Sequence, residues 1–150
     1  MILLTSQDIE TGFRLAAATF LGGLIGLERE RHGKEAGFRT YAIVCLGSAL
    51  MMIVSVRIFE IYETTARVDP SRIAAQVVSG IGFLGAGAII RFPEKIRGLT
   101  TAAGIWVASG IGLACGLGDY RAAVLTTVLT LFILIFFSYL NRKFFHGHDV

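Results

Sequence analysis

Long apolar runs alternate along this chain with short connections in which most of the charge is concentrated. The runs predict helices over about 9–27, 40–58, 73–90, 99–117 and 122–140. Each falls in or near the range of roughly 17–25 residues that carries a helix across a bilayer's hydrocarbon core. Backbone polar groups in lipid must be satisfied within their own segment, so the runs are read as helices and not strands. A soluble bundle would need a polar outer face on every helix, and the fifth run, ending LFILIFFSYL, has almost none. The expected architecture is an all-α integral membrane protein of five transmembrane helices, forming a single domain over 1–150.

Composition agrees. Hydrophobic residues make up 54% of the 150 and charged residues 17%, against about a quarter charged in soluble domains; the mean hydropathy is +0.67. The opening MILLTSQDIETGF has no basic stretch and no small-residue cleavage site, so the first helix is expected to stay in the protein. Nine Lys and Arg lie in the first and third connections and the C-terminal tail, and four in the second and fourth. The positive-inside bias places the N-terminus outside and the C-terminus in the cytoplasm, as five spans require. Tyr41, Tyr62, Tyr120 and Tyr139 all fall at the ends of runs, where headgroup-level rings are expected. The basic pI of about 9.1 is explained by attraction to anionic lipid headgroups. No nucleic-acid partner is expected. Cys45 and Cys115 lie at opposite depths and predict no disulfide.

SGIGFLGAGAII places Gly80, Gly82 and Gly85 at the G-x-G-x-x-G spacing of a dinucleotide turn. Such a turn follows a strand and needs an acidic residue about 20 positions on. Here DPSRIAAQVV starts a helix, with Asp69 as a cap and Pro70 at its first position. No acidic residue occurs between Glu94 and Asp119, so no nucleotide is expected. In a membrane, small residues let helices approach closely. Gly80 and Gly87 share one face of the third span, with Gly82 and Gly85 nearly opposite, which predicts a helix gripped on two sides. Gly104, Ala108, Gly112 and Gly116 repeat the pattern in the fourth span, and Ala18, Gly22 and Gly26 in the first. The pattern predicts a tightly packed core of spans one, three and four, with span five facing lipid.

Charge in a bilayer is costly and by default suggests function. Arg14 is read as paired with Glu10 and reaching outward, and Gln76 as a hydrogen-bonding amide inside span three. Glu28, after the Gly22/Gly26 face, is expected to be held near Arg39 or Arg97. No Asp or Glu lies mid-span, as a Mg²⁺ path through one chain would require. The metal candidates are Asp69 and Glu28, at two opposite mouths. No Ser/His/Asp, Cys/His or zinc spacing occurs, so neither an enzyme nor a cofactor is expected, and His146 and His148 form only a weak tail pair.

GGLIGLERERHGKEAGFRTYAIVCLGSAL (22–50), DPSRIAAQVVSGIGFLGAGAII (69–90) and RGLTTAAGIWVASGIGLACGLGDY (97–120) together resemble the MgtC/SapB family of bacterial inner-membrane proteins. The resemblance implies a multi-pass inner-membrane protein linked to growth at low magnesium and, in intracellular pathogens, to survival in the host. Some members act by binding other membrane proteins. By position the family's motif residues fall on Glu28, Arg39, Thr40, Asp69, Arg72, Gln76, Gly80, Gly82, Gly85, Arg97, Thr100 and Thr101. Virulence-type members carry a soluble domain after the last span. This chain reaches FFHGHDV ten residues after it, so the expectation is the membrane module alone, nearer the short SapB-type branch. The expected function is non-enzymatic regulation through intramembrane contacts, as a homo-oligomer (a dimer foremost) or with another membrane protein. The alternative is an oligomeric transporter or channel for Mg²⁺ or another cation.

Overall fold

A computed structural model describes residues 5–64 and 67–145, without the side chains of 142, 144 and 145. The tail histidines His146 and His148 lie outside the described residues. Five helices follow one another: α1 (Ser6–Arg31), α2 (Phe38–Tyr62), α3 (Ser71–Gly87), α4 (Leu99–Leu117) and α5 (Tyr120–Phe145). Of these, α2, α4 and α5 are long and apolar enough to cross a membrane.

Local chemistry sets the helix ends. Thr5 and Asp8 form a reciprocal capping box at the start of α1, the Thr5 amide donating to Asp8 at 2.8 Å. Gly33 ends the same helix in the left-handed region, where the Lys34 amide reaches back to the Arg29 carbonyl at 3.1 Å. Gly118 does the same for α4, with the Asp119 amide donating to the Ala114 carbonyl at 2.9 Å. The Asp119 carboxylate then caps α5 by accepting from the Ala122 amide.

The core is built around α2 and not α3. The small-residue faces of α1 and α4 both close on α2, around the same residues, Tyr41 and Cys45. A Cβ at Gly22 would stand 2.6 Å from the Tyr41 carbonyl oxygen, and one at Gly26 2.7 Å from that of Gly37. From α4, a Cβ at Gly112 would meet Ser48 Cβ at 2.7 Å, and one at Gly116 would meet Met52 Cβ at 2.7 Å. Ala108 is fully buried, and the Cys45 thiol donates to its carbonyl at 3.0 Å. Tyr41, Cys45 and Ala49 meet Gly104, Ala108 and Gly116 in the same order, so α2 and α4 run parallel; α1, with Gly22 at Cys45 and Gly26 at Gly37, runs antiparallel to both.

This corrects the expected core of spans one, three and four. Only Ile81 and Gly85 of α3 are buried, and Gly85 meets Ala102 of α4 at an ordinary 3.7 Å. Apart from α3's own adjoining backbone, no described atom lies within 4 Å of a Cβ built on Gly80, Gly82 or Gly87. Within one chain α3 is therefore gripped on one side, not two. The reason is geometric: α2 already takes up the small faces of both α1 and α4, leaving α3 to lean on α4 and α2 from outside. Tyr41 is likewise core and not a headgroup-level ring. It is fully buried, and its hydroxyl donates to the Thr101 carbonyl at 3.3 Å in the space left by Gly104.

The third connection holds a feature absent from the sequence reading, which extended the third span to residue 90. A two-stranded hairpin, β1 (Ile90–Arg91) and β2 (Ile96–Arg97), links α3 to α4. Its base depends on Gly98, which has φ +86° and lies against the Ala88 carbonyl. α5 buries Ala123, Thr127 and Leu134 along one stripe, and exposes Phe132, Ile133, Ile135, Phe136 and Phe137. That is the pattern of a helix with one protein side and three lipid sides.

Candidate functional site

The chain's polar side chains gather at its two ends. At the end formed by the last turns of α1, the first turns of α2 and α4, and the hairpin, Glu28 and Arg29 form a buried ion pair, 8% and 3% exposed. Neighbours in sequence do not normally face one another on a helix. Here Arg29 folds back, donating Nε to Glu28 at 2.5 Å and Nη2 at 2.9 Å. His32, one turn on, stands with Nδ1 3.1 Å from the same carboxylate. Glu28 is thus held inside the protein, but by Arg29 and His32 and not by Arg39 or Arg97.

Beside this pair lies a cavity of about 820 Å³. Arg29 comes to it from the last turn of α1, Lys34 and Glu35 from the first connection, and Arg97, Gly98, Thr100 and Thr101 from the hairpin and the start of α4. Ile133, Phe137, Ser138 and Asn141 form its α5 wall. Thr101 is buried, and its hydroxyl donates to Glu35 at 3.3 Å, tying the loop to α4. The Arg97 guanidinium lies 5.6 Å from the centre of the Phe92 ring. Arg39 and Thr40 are exposed in the first turn of α2. Thr40 opens onto a separate, apolar groove of about 500 Å³ that also takes in Val44, Phe83, Gly87 and Ile105.

The structure therefore brings Arg97, Thr100 and Thr101 together near the Glu28–Arg29 pair, and leaves Asp69, Arg72 and Gln76 elsewhere. Ser138 and Asn141 had not been singled out. Their signal was present: two polar residues three apart, in an otherwise apolar helix.

At the opposite end, Arg14 pairs with Glu10, Nε to Oε1 at 3.1 Å, and donates Nη1 to the Gly116 carbonyl at 2.7 Å. The expected Arg14–Glu10 pair is present, and its reach to α4 adds a tie between helices. Asp69 accepts from the Ser71 hydroxyl at 2.7 Å and amide at 2.8 Å. These bonds, the hydroxyl first, hold its carboxyl below the usual aspartate range. Arg72, Gln76, Gly80, Phe83 and Gly87 follow in steps of three and four along one face of α3, and the first four are exposed, Phe83 by 84%. Gly87 completes that face, also exposed. No group of three or more His, Cys, Asp or Glu side chains converges as a metal site among the described residues. Asp69 and Glu28, the two metal candidates, sit at opposite ends, each engaged within the chain.

A family model described as the MgtC family matches residues 15–143. Among curated proteins, one of Escherichia coli (strain K12) named "Putative magnesium transporter YhiD" is 48% identical over 132 residues, covering 87% of this chain and 61% of that protein. "Protein MgtC" of Salmonella typhimurium (strain LT2) is 48% identical over 117 residues, covering 78% of this chain and 48% of its own length. An uncharacterized protein of Haemophilus influenzae is 44% identical over 137 residues, 89% of this chain and 57% of its own. The chain thus spans about half to three-fifths of the relatives it matches. No solved structure matches.

Proposed function

The chain belongs to the MgtC family, and on that premise we propose that it is a non-enzymatic protein of the bacterial inner membrane that regulates through contacts between helices. In this reading all five helices cross, with the N-terminus outside, and the protein serves adaptation to low magnesium. One observation carries it: the outward face of α3. Arg72, Gln76 and Gly80 lie there beside Phe83 and Gly87, and, apart from α3's own adjoining backbone, no described atom approaches Gly80 or Gly87. A glutamine amide turned toward lipid lacks a hydrogen-bond partner, and glycines in lipid allow a helix to approach without providing one. Both features fit a second transmembrane helix lying along α3, from another copy or another membrane protein.

The test is the oligomeric state of Gly80→Leu/Gly87→Leu in lipid, read by single-molecule photobleaching with thermal stability measured in parallel. Wild-type dimers, monomeric variant and unchanged stability are expected. A monomeric wild type that also forms no cross-links from position 83 in host membranes would overturn the reading.

The second reading is the transporter that the name of the Escherichia coli relative suggests. It would place Asp69 and Glu28 near the two mouths of an oligomeric path. Saturable Mg²⁺ uptake into liposomes holding only this protein, lost in Asp69→Ala, would establish it over the first.

A further inference from the structure

We propose that the 820 Å³ cavity is a binding site for the phosphate headgroup of an anionic glycerophospholipid. The argument begins with charge. Arg29, Lys34 and Arg97 all line the cavity. Arg29 is neutralised by Glu28, but neither Lys34 nor Arg97 has a carboxylate within ion-pair distance among the described residues. Glu35, the one acid on the wall, is tied to the Thr101 hydroxyl. Two cations against that one carboxylate leave the recess with a net positive charge.

The start of α4 adds to them. Its N-cap is Gly98, which has no side chain to accept from the first-turn amides. Gly98, Leu99 and Thr100 line the same recess, and helix N-termini favour anions. A phosphate diester carries one negative charge and four oxygens, and it suits two point donors above a ring of amides.

The α5 wall distinguishes a lipid from a soluble anion. Asn141 flanks the polar end of the cavity, Ser138 and Phe137 lie about one turn deeper, and Ile133 about two. Ile133 and Phe137 are 52% and 56% exposed and flank the buried stripe of α5 at Leu134. The cavity therefore opens sideways onto apolar surface as well as onto the charged end. A headgroup seated at Arg97 and Lys34 would send its acyl chains down beside Phe137. Basic recesses between helices at the membrane's charged side are established sites for anionic lipid. This proposal does not depend on the α3 face or on transport.

Delipidated protein in detergent would be titrated with phosphatidylglycerol, phosphatidylcholine or inorganic phosphate, with retained lipid read by native mass spectrometry. The wild type is expected to retain phosphatidylglycerol at least about tenfold over phosphatidylcholine. Lys34→Gln/Arg97→Gln should lose that preference, and Arg91→Gln, a hairpin cation outside the cavity, should keep it. Equal retention of the two lipids by the wild type, or equal loss in Arg91→Gln, would overturn the proposal. Displacement of phosphatidylglycerol by millimolar inorganic phosphate would reassign the site to a soluble anion. A readout that leaves the basic residues intact is Phe137→Trp in a Trp106→Phe background. Brominated phosphatidylglycerol, as a minor fraction in phosphatidylcholine, should quench residue 137 well beyond its mole fraction; quenching proportional to mole fraction would contradict the site.

Discussion

Replacing Gly98 by alanine separates two costs that usually arrive together. The residue has φ +86°, and holding a residue with a Cβ in the left-handed region costs about 1–2 kcal/mol. Gly98 also has no room: a Cβ there would overlap the Ala88 carbonyl oxygen, and it would stand 2.9 Å from that carbonyl carbon and 3.3 Å from Ile89 Cα. All three atoms are backbone, so no side chain can swing aside, and the base of the hairpin must move against α4. Overpacking of that kind adds about 1–3 kcal/mol. Gly33 is the matched control, with φ +60° and nothing within 4 Å of a built Cβ. Gly33→Ala should lose only the conformational part, about 1–2 kcal/mol, and Gly98→Ala the sum, about 2–5 kcal/mol. Asparagine, which tolerates the left-handed region, should rescue position 33 and leave position 98 impaired. Reversible unfolding in mixed detergent micelles with increasing SDS measures all four variants. Equal losses at the two positions would show that the contact with Ala88 contributes nothing.

Further outcomes follow from the packing and the charges. Gly112→Ala and Gly116→Ala, both pressed on the backbone of α2, should each destabilise by about 1–3 kcal/mol; Gly110→Ala, with open space, should be neutral or gain up to about 1 kcal/mol of helix propensity in the same assay. Glu28→Gln leaves Arg29 buried and unpaired and should cost about 3–5 kcal/mol, whereas Glu28→Met/Arg29→Met should recover most of the loss. The lowered Asp69 carboxyl stabilises the start of α3 above the ordinary aspartate pKa, and that contribution disappears as pH falls through the lowered value; amide exchange at Ser71 should accelerate across that acid window, and Asp69→Asn should flatten the response. Cysteines at Lys34 and Lys95 should resist an impermeant thiol reagent in intact spheroplasts, and one at Arg67 should label; the reverse pattern would invert the orientation.

Much of the helical organisation was legible, because apolar run length and capping chemistry are local. TSQD at the start of α1 and the glycines ending α1 and α4 act within five residues of chain. Partner choice was not legible. The small faces of α1 and α4 mark close approach without saying what approaches, and α2 shows no glycine stripe because it supplies the knobs, Tyr41, Cys45 and Ser48. The glycines of α3 look the same in sequence as those of α4, yet three of them meet no other element among the described residues. The end cavity was half legible: Arg97, Thr100 and Thr101 belong to recognisable motif stretches, whereas Ser138 and Asn141 reach it only because α5 crosses the start of α4.

Helix α1, though 26 residues long, falls short of the apolarity needed to cross a membrane unaided, and α3, with 17 residues, of the length; each directly precedes a helix that does not. In a five-crossing arrangement this makes them passengers during biogenesis. α1 enters only as α2 arrives to take up Gly22 and Gly26, and α3 only as the turn at Gly98 folds α4 back beside it. The chain would then be committed to the bilayer in two hairpins and a closing helix, with Gly98 as the joint of the second.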